Sequence, residues 1–232
     1  MPINRRIFTQ DAGIEGLLLH LDAQTYSGSG NWLDSSGNGH DATINGATFT
    51  TNGSSPNESY FDFDGSDDFM TIPQDTQFDF DVATTMQIWV NKDGTGREWV
   101  IEKANGGSGN YGWQLEHNDS ASNYRFQMHN TSNAVATAEI STTTNTGDYT
   151  HIAVTHNGSN EFKIYLNGSL EDTATLSGTI SKNTNGITIG KYSLSSGFEF
   201  DGRIAMVKFH LKTLSDSEVL SEYNSTKATF GL

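Results

Sequence analysis

The stretch FKIYLNGSLEDTATL, residues 162–176, states the rule that this chain follows almost throughout. Phe162, Ile164 and Leu166 alternate with Lys163 and Tyr165, and an Asn-Gly pair follows before the alternation resumes. Successive side chains of a β-strand point to opposite faces, so period-two alternation marks a half-buried strand. Asn-Gly supplies two residues that tolerate positive φ, which a tight hairpin turn requires. The same pattern recurs in GLLLHLDA, TMQIWVNK, THIAVTHNG and GRIAMVKFHLK, with further Asn-Gly pairs at 157–158 and 185–186 and Asp-Gly pairs at 64–65 and 93–94. About a dozen such strands at this spacing predict an all-β fold, a two-sheet antiparallel jelly-roll sandwich. The strand phase predicts a core that includes Leu17, Leu19, Ile88, Val90, Ile152, Val154, Ile164, Leu166 and Val207.

One segment departs from the rule. In TLSDSEVLSEYNS, residues 213–225, Ser215 stands three residues before Glu218, the spacing of a capping box, and Val219, Leu220 and Tyr223 recur at helical spacing. A short C-terminal helix lying on the sandwich is predicted there. No Pro-rich or charged linker divides the chain, so one domain is expected over residues 14–226, between an arm at 1–13 and a tail at 227–232.

Composition narrows the functional classes. The 28 acids and 13 bases give a formal charge of −15, which repels phosphate backbones and anionic lipid and argues against nucleic-acid binding. No run approaches the ~20 apolar residues of a membrane helix, so membrane insertion is not expected. The arm MPINRRIFTQD sets Arg5 and Arg6 beside Ile3, Ile7 and Phe8 on this acidic chain, and no secretory hydrophobic segment is visible there. Such an arm is expected to dock onto other protein subunits of a larger assembly, and a virion fits that setting.

The order of motifs carries a resemblance. GLLLHLDA, WLDSSGNGHDATINGATF, SYFDFDGSDDFMTIP, YGWQLEHNDSASNYRFQM, GDYTHIAVTHNGSNEFKIYLNGSL and FDGRIAMVKFHLKTLSDSEV together resemble the concanavalin A-like, laminin G-like family of jelly-roll domains. The likeness covers nearly the whole chain after residue 14. It implies a binding or adhesive module, frequently for glycans, often with a structural calcium near one edge. By the resemblance, Asp22 and the Asn38–His40 stretch are the calcium ligands, with His40 acting through its carbonyl because imidazole suits hard cations poorly. Relatives often carry an acidic pair after the late F-x-G-x-I, where this chain has Ala205 and Met206; Asp201 is the expected substitute. The competing reading of residues 31–49 is a turn in which Asp34 and Asn38 cap their own backbone.

Other candidates are weaker. FDFDGSDDFM reads as a hairpin with outward carboxylates, Asp62, Asp64, Asp67 and Asp68. A retaining glycosidase needs two carboxylates ~5 Å apart. Glu98 and Glu102 in EWVIEK and Glu199 and Asp201 in FEFDG are the only pairs near such a pattern, and none matches the E-x-D-x-x-E strand of glucanases with this fold. The histidines form no H-x-x-x-H pair. Trp99 and Trp113 flank the Gly-rich KANGGSGNYG and with Tyr111 are candidates for a sugar-stacking rim, with core packing as the alternative. The expectation is a non-catalytic binding or structural module, a decoration, fibre or tail component of a phage or virus particle, with a glycan or a host surface as the candidate ligand. A free lectin and a glycan-cleaving enzyme are the alternatives.

Overall fold

The strand pairings among the described residues of the computed structural model, which are 16–52, 58–104, 111–118, 123–141 and 147–232, are all antiparallel and build two sheets. The first sheet has eight strands. It runs β13 (Ser169–Thr175), β12 (Glu161–Leu166), β11 (Tyr149–Asn157), β6 (Ala83–Lys92), β15 (Asp201–His210), β4 (Glu58–Asp64) and β3 (Thr48–Asn52), with β1 (Leu17–Asp22) also paired to β15. The second has seven, in the order β10 (Val135–Glu139), β9 (Asn123–His129), β8 (Trp113–Asn118), β7 (Glu98–Lys103), β14 (Ile187–Ile189), β5 (Phe69–Ile72) and β2 (Thr43–Asn45). Between β12 and β13, Asn167 and Gly168 take φ of 50° and 81°, as a two-residue primed turn demands. The arm expected at residues 1–13, with Arg5 and Arg6, lies outside the described residues.

Register turns the sequence alternation into a core. Across the first sheet, Ile164, Val154, Met86, Phe209 and Leu19 stand opposite one another in one inward row. Across the second, Ile44, Met70, Ile189, Ile101, Leu115, Phe126 and Ala138 do the same over all seven strands. The two rows meet in one apolar cluster. Of the predicted core, Leu19, Ile88, Val90, Ile152, Val154, Ile164 and Val207 are fully buried, and Leu166 packs partly buried against them. Leu17 is the correction. A register shift between Leu17 and Leu19 breaks the alternation, leaving Leu17 half-buried and turning Leu18 into the core.

Part of the outer surface of the first sheet is covered by the C-terminal segment. Helix α1 (Asp216–Thr226) begins with the predicted box, in which the Ser215 hydroxyl accepts from the Glu218 amide and the Glu218 carboxylate accepts from the Ser215 amide. The stretch read as a tail from the sequence continues the packing: a 3₁₀ turn, Lys227–Phe230, brings Phe230 to 4.2 Å from the Trp89 ring, and Trp89 Nε1 donates to Thr226 Oγ1 at 3.0 Å.

Candidate ligand-binding face

The loop at residues 31–41 is organised by hydrogen bonds to β1. β15 pairs along one side of β1, and loop side chains serve the backbone groups on the other. Asp34 Oδ1 accepts from the His20 amide at 3.0 Å, and Ser35 returns both its amide and its hydroxyl to the His20 carbonyl at 2.9 Å. Asn38 Nδ2 donates to the carbonyls of Leu17 and Leu18, each at 3.0 Å. The His40 ring lies buried, with Nδ1 3.2 Å from the Leu18 carbonyl and Nε2 3.1 Å from Asp75 Oδ2. Asp34 Oδ2 also accepts from the His40 amide at 3.1 Å, and Asp41 accepts from the Asp34 amide at 2.8 Å. Asp75 caps a 3₁₀ turn, and the Gln77 amide together with the His40 ring holds its carboxyl below the usual range. Open strand edges invite further pairing, and here side chains occupy that position.

This arrangement does not bring the expected calcium ligands together. Asp22 faces Met206 at one end of β1, while Asn38 reaches Leu17 and Leu18 at the other, roughly four residues or about 13 Å away along the strand. Asp201 lies five residues before Met206 on β15, about 16 Å from the Asp22 level, opposite Asp64. Calcium ligands sit about 2.3–2.6 Å from the ion, so one ion cannot reach Asp22, Asn38, His40 and Asp201 together. Asp22 instead caps the 3₁₀ turn Ala23–Thr25, accepting from the Gln24 amide at 2.9 Å. Asp201 stands near an acidic corner in which oxygens of Asp64, Asp67 and Asp68 lie within 4.8 Å of one another. Burial and the neighbouring carboxylates push the Asp68 carboxyl up.

The outer surface of the second sheet is the polar counterpart of its core row. Thr43, Thr71, Thr188, Glu102, Gln114, Gln127 and Thr137 stand opposite one another across all seven strands. Gln114 Nε2 donates to Gln127 Oε1 at 2.6 Å, and Gln127 Nε2 donates to Thr137 Oγ1 at 3.1 Å. Two residues further along β8, β9 and β10, and three along β7 because of a register shift between Trp99 and Ile101, runs a second row of Trp99, Glu116, Arg125 and Glu139. Glu116 has a fully buried side chain clasped by two guanidinium groups: Arg97 binds both its oxygens at 2.8 and 3.1 Å, and Arg125 Nε donates to Oε1.

Glu102 is the unusual member. Its Oε1 accepts from the Ser193 amide at 2.7 Å, while Oε2 is buried and has no hydrogen-bond partner among the described residues. Burial pushes this carboxyl up to about 7 against the opposing pull of Ser193.

The three aromatic candidates separate. Trp99 belongs to this surface but is itself covered, with the Tyr192 ring stacked at 4.4 Å and the Arg97 guanidinium at 4.4 Å from its centroid. Half-buried Tyr192 and Phe198 are the outer members of that cluster. Tyr111 is half-buried against His129 at 5.1 Å, at the far side of the polar rows. Trp113 points the other way. It lies in the inter-sheet core against Phe80 and Phe126, with Nε1 donating to the Phe78 carbonyl at 2.6 Å, because it shares the inward phase of Leu115. A rim role for Trp113 is therefore corrected to core packing.

Sequence reasoning singled out Glu102 only as a loose carboxylate and passed over Glu116, Arg97, Arg125, Gln114 and Gln127. The available signal was in WQLEHN, where Gln114 and Glu116 alternate with Trp113 and Leu115.

A family model described as the concanavalin A-like lectin/glucanases superfamily matches residues 64–220. No curated protein matches the chain. Among solved structures, the botulinum neurotoxin serotype D binding domain aligns with a TM-score of 0.72 at 12% identity, over 90% of this chain and 52% of that one. The binding domain of Paraclostridial Mosquitocidal Protein 1 aligns at 0.73 and 16% identity, over 90% and 52%. The serotype D ligand binding domain in complex with N-acetylneuraminic acid aligns at 0.70 and 16% identity, over 90% and 51%. The chain spans about half the length of these three structures, and the likeness is one of fold. Among the described residues no helix is long and apolar enough to cross a membrane.

Proposed function

The chain belongs to the concanavalin A-like lectin/glucanase superfamily, and from that premise we propose a non-catalytic module that binds a glycan on the outer surface of its second sheet. The observation that carries this reading is the pair of polar rows, whose half-buried members Thr71, Thr188, Arg125, Gln127, Thr137 and Glu139 stand over buried Glu102, Gln114 and Glu116, with Tyr192 and Phe198 on one side and Tyr111 on the other. Sugars present hydroxyls that both donate and accept, and an array of amides, carboxyls and guanidinium groups beside aromatic rings meets them on both counts. The neighbouring binding domains, one of them in complex with N-acetylneuraminic acid, add support.

The non-catalytic part rests on Glu116. A nucleophilic or basic carboxylate beside Glu102 needs a free oxygen, and both oxygens of Glu116 are bound by Arg97 or Arg125. The setting we propose is the surface of a phage or virus particle, supported by the basic and apolar make-up of residues 1–13 on an acidic chain.

A glycan array probed with the full chain tests the ligand. Saturable binding that is lost in the Gln114→Ala/Gln127→Ala double variant, without release of new reducing ends, is expected. Absence of binding overturns the glycan reading, and turnover overturns the non-catalytic one. Deleting residues 2–11 tests the setting. The expected result is an unchanged melting curve with lost self-association or particle incorporation, and a destabilised monomer with unchanged association overturns it.

A further inference from the structure

The C-terminal segment is held on the first sheet by ion pairs and by rings, with little aliphatic packing. Val219 is the one fully buried side chain of helix α1, and Leu220 is exposed. Each acid of the helix meets a base of the surface beneath. Asp216 Oδ1 lies 3.3 Å from Lys163 Nζ and accepts from the Tyr165 hydroxyl at 2.8 Å, Glu218 pairs with Lys212, and Glu222 Oε2 lies 3.2 Å from Lys208 Nζ. Phe230 and Tyr223 stack on Trp89 at 4.2 and 5.8 Å and close over the cluster it forms with Tyr149, Ala205 and Met206.

The two ends of the segment differ in what lies beneath them. At the start stand the capping box and two carboxyls held below the usual range, Asp216 by Tyr165 and Lys163, and Glu218, at about 2, by Lys212 and Ser215. Beneath the other end lies buried His151, in a cleft that Gln87, Trp89, Lys208, Glu222 and Thr226 also line. Its ring is 5.1 Å from Trp89 and 5.9 Å from Tyr223, with Nε2 3.2 Å from Gln87 Oε1. The charged groups around it are Lys208 of β15, Glu222 paired to that lysine, and Lys227 of the segment, whose Nζ is 5.3 Å from the Tyr223 ring. Buried His210 faces Glu222, Glu218, Lys208 and Lys212, and His20 of β1 stands opposite Lys208.

We propose that residues 222–230 form an acid-released strap, which lifts from the sheet about a hinge at Asp216–Val219 and bares Trp89 and its neighbours while the sandwich stays folded. Burial, with Lys208, lowers the His151 ring to about 3 while the strap is down. Lifting returns the ring to water and to its ordinary value of 6.5, so each pH unit below 6.5 shifts the balance about tenfold toward the lifted state. His210, lowered chiefly by burial to about 4, pushes the same way. A protonated His151 also repels Lys208 and Lys227. The carboxyls of Asp216 and Glu218 keep their charge through this range, so the start of the helix holds.

Hydrogen exchange of the full chain, read by mass spectrometry segment by segment from pH 7 to pH 4, tests the proposal. After correction for the intrinsic pH dependence of exchange, protection of amides 222–230 is expected to fall about tenfold or more per pH unit below 6.5, while β6, β11 and β15 keep theirs. His151→Gln is expected to flatten that fall. Phe230→Ala, at the half-buried end of the segment, is expected to lower strap protection at every pH and to leave the sandwich protected. Strap protection that does not change with pH overturns the proposal, as does loss of protection in strap and sandwich together. An unchanged slope in His151→Gln overturns the assignment of the trigger.

Discussion

Asn38 donates its side-chain amide to the carbonyl oxygens of both Leu17 and Leu18, at 3.0 Å each, and so stands where the next strand of the first sheet would stand. Replacing it by Ala removes a donor from the Leu17 carbonyl, whereas the Leu18 carbonyl keeps Ser36 Oγ and the His40 ring, a loss of about 1–3 kcal/mol. Asn38→Asp sets a carboxylate against those carbonyls and should cost more. Urea denaturation with and without calcium checks the assignment. The loss is expected to be the same in both, whereas a calcium ligand would recover in the Asp variant when the ion is added.

Asp22→Ala should lower stability by about 0.5–2 kcal/mol, the value of a lost cap, because its carboxylate accepts from the Gln24 amide. The same loss is expected in EDTA, and melting curves in the two buffers provide the check.

Glu102 predicts a stability that falls with rising pH. Folded, it holds its proton up to about 7, whereas the unfolded chain releases it near 4.5, so between these values the unfolded state binds fewer protons. The difference of roughly 2.5 units corresponds to about 3 kcal/mol lost by pH 8. Glu102→Gln should therefore stabilise the protein at pH 8 and change little at pH 4, as read from melting temperatures of both proteins across that range.

His151 acts in the opposite direction. Burial lowers its ring to about 3, so the folded state keeps it neutral while the unfolded chain takes a proton below about 6.5. Stability should fall as pH drops from 6.5, at about 1.4 kcal/mol per unit for this group. His210, lowered to about 4, adds to the slope down to that pH. His151→Gln is expected to flatten the acid limb of the stability profile, and an unchanged limb would refute the assignment.

The inward phase of β12 is tested by Ile164, which is fully buried opposite Val154. Ile164→Ala should cost about 2–5 kcal/mol, while Ile164→Asp, an uncompensated buried charge, should abolish folding. A normally folded Asp variant would reject the register.

The sandwich was legible because alternation is local: Lys163 and Ile164 announce their faces within two residues. The capping box at Ser215 was legible for the same reason. Leu17 was misplaced because a bulge is set by what β15 offers across the ladder, and no neighbour in sequence carries that information. The polar rows were hidden more thoroughly. Glu102, Gln114 and Gln127 are contiguous only after three strands have found their register, and each alone is an ordinary polar residue at an outward position. Asn38 and His40 misled in another way. Oxygen- and nitrogen-rich loops suit a metal or a strand edge equally well in sequence, and only the distance from Asp22 to the Leu17 end of β1 decides between them.

Phe230 closing over Trp89 gives the molecule a front and a back. Leu232, two residues beyond that ring, leaves from the back. A chip, bead or fusion partner joined there would hold the domain facing away from its support, with the outer face of the second sheet turned toward the medium. The mode of attachment, rather than the amount of protein attached, should therefore govern how much of the second sheet's outer face a coated surface presents.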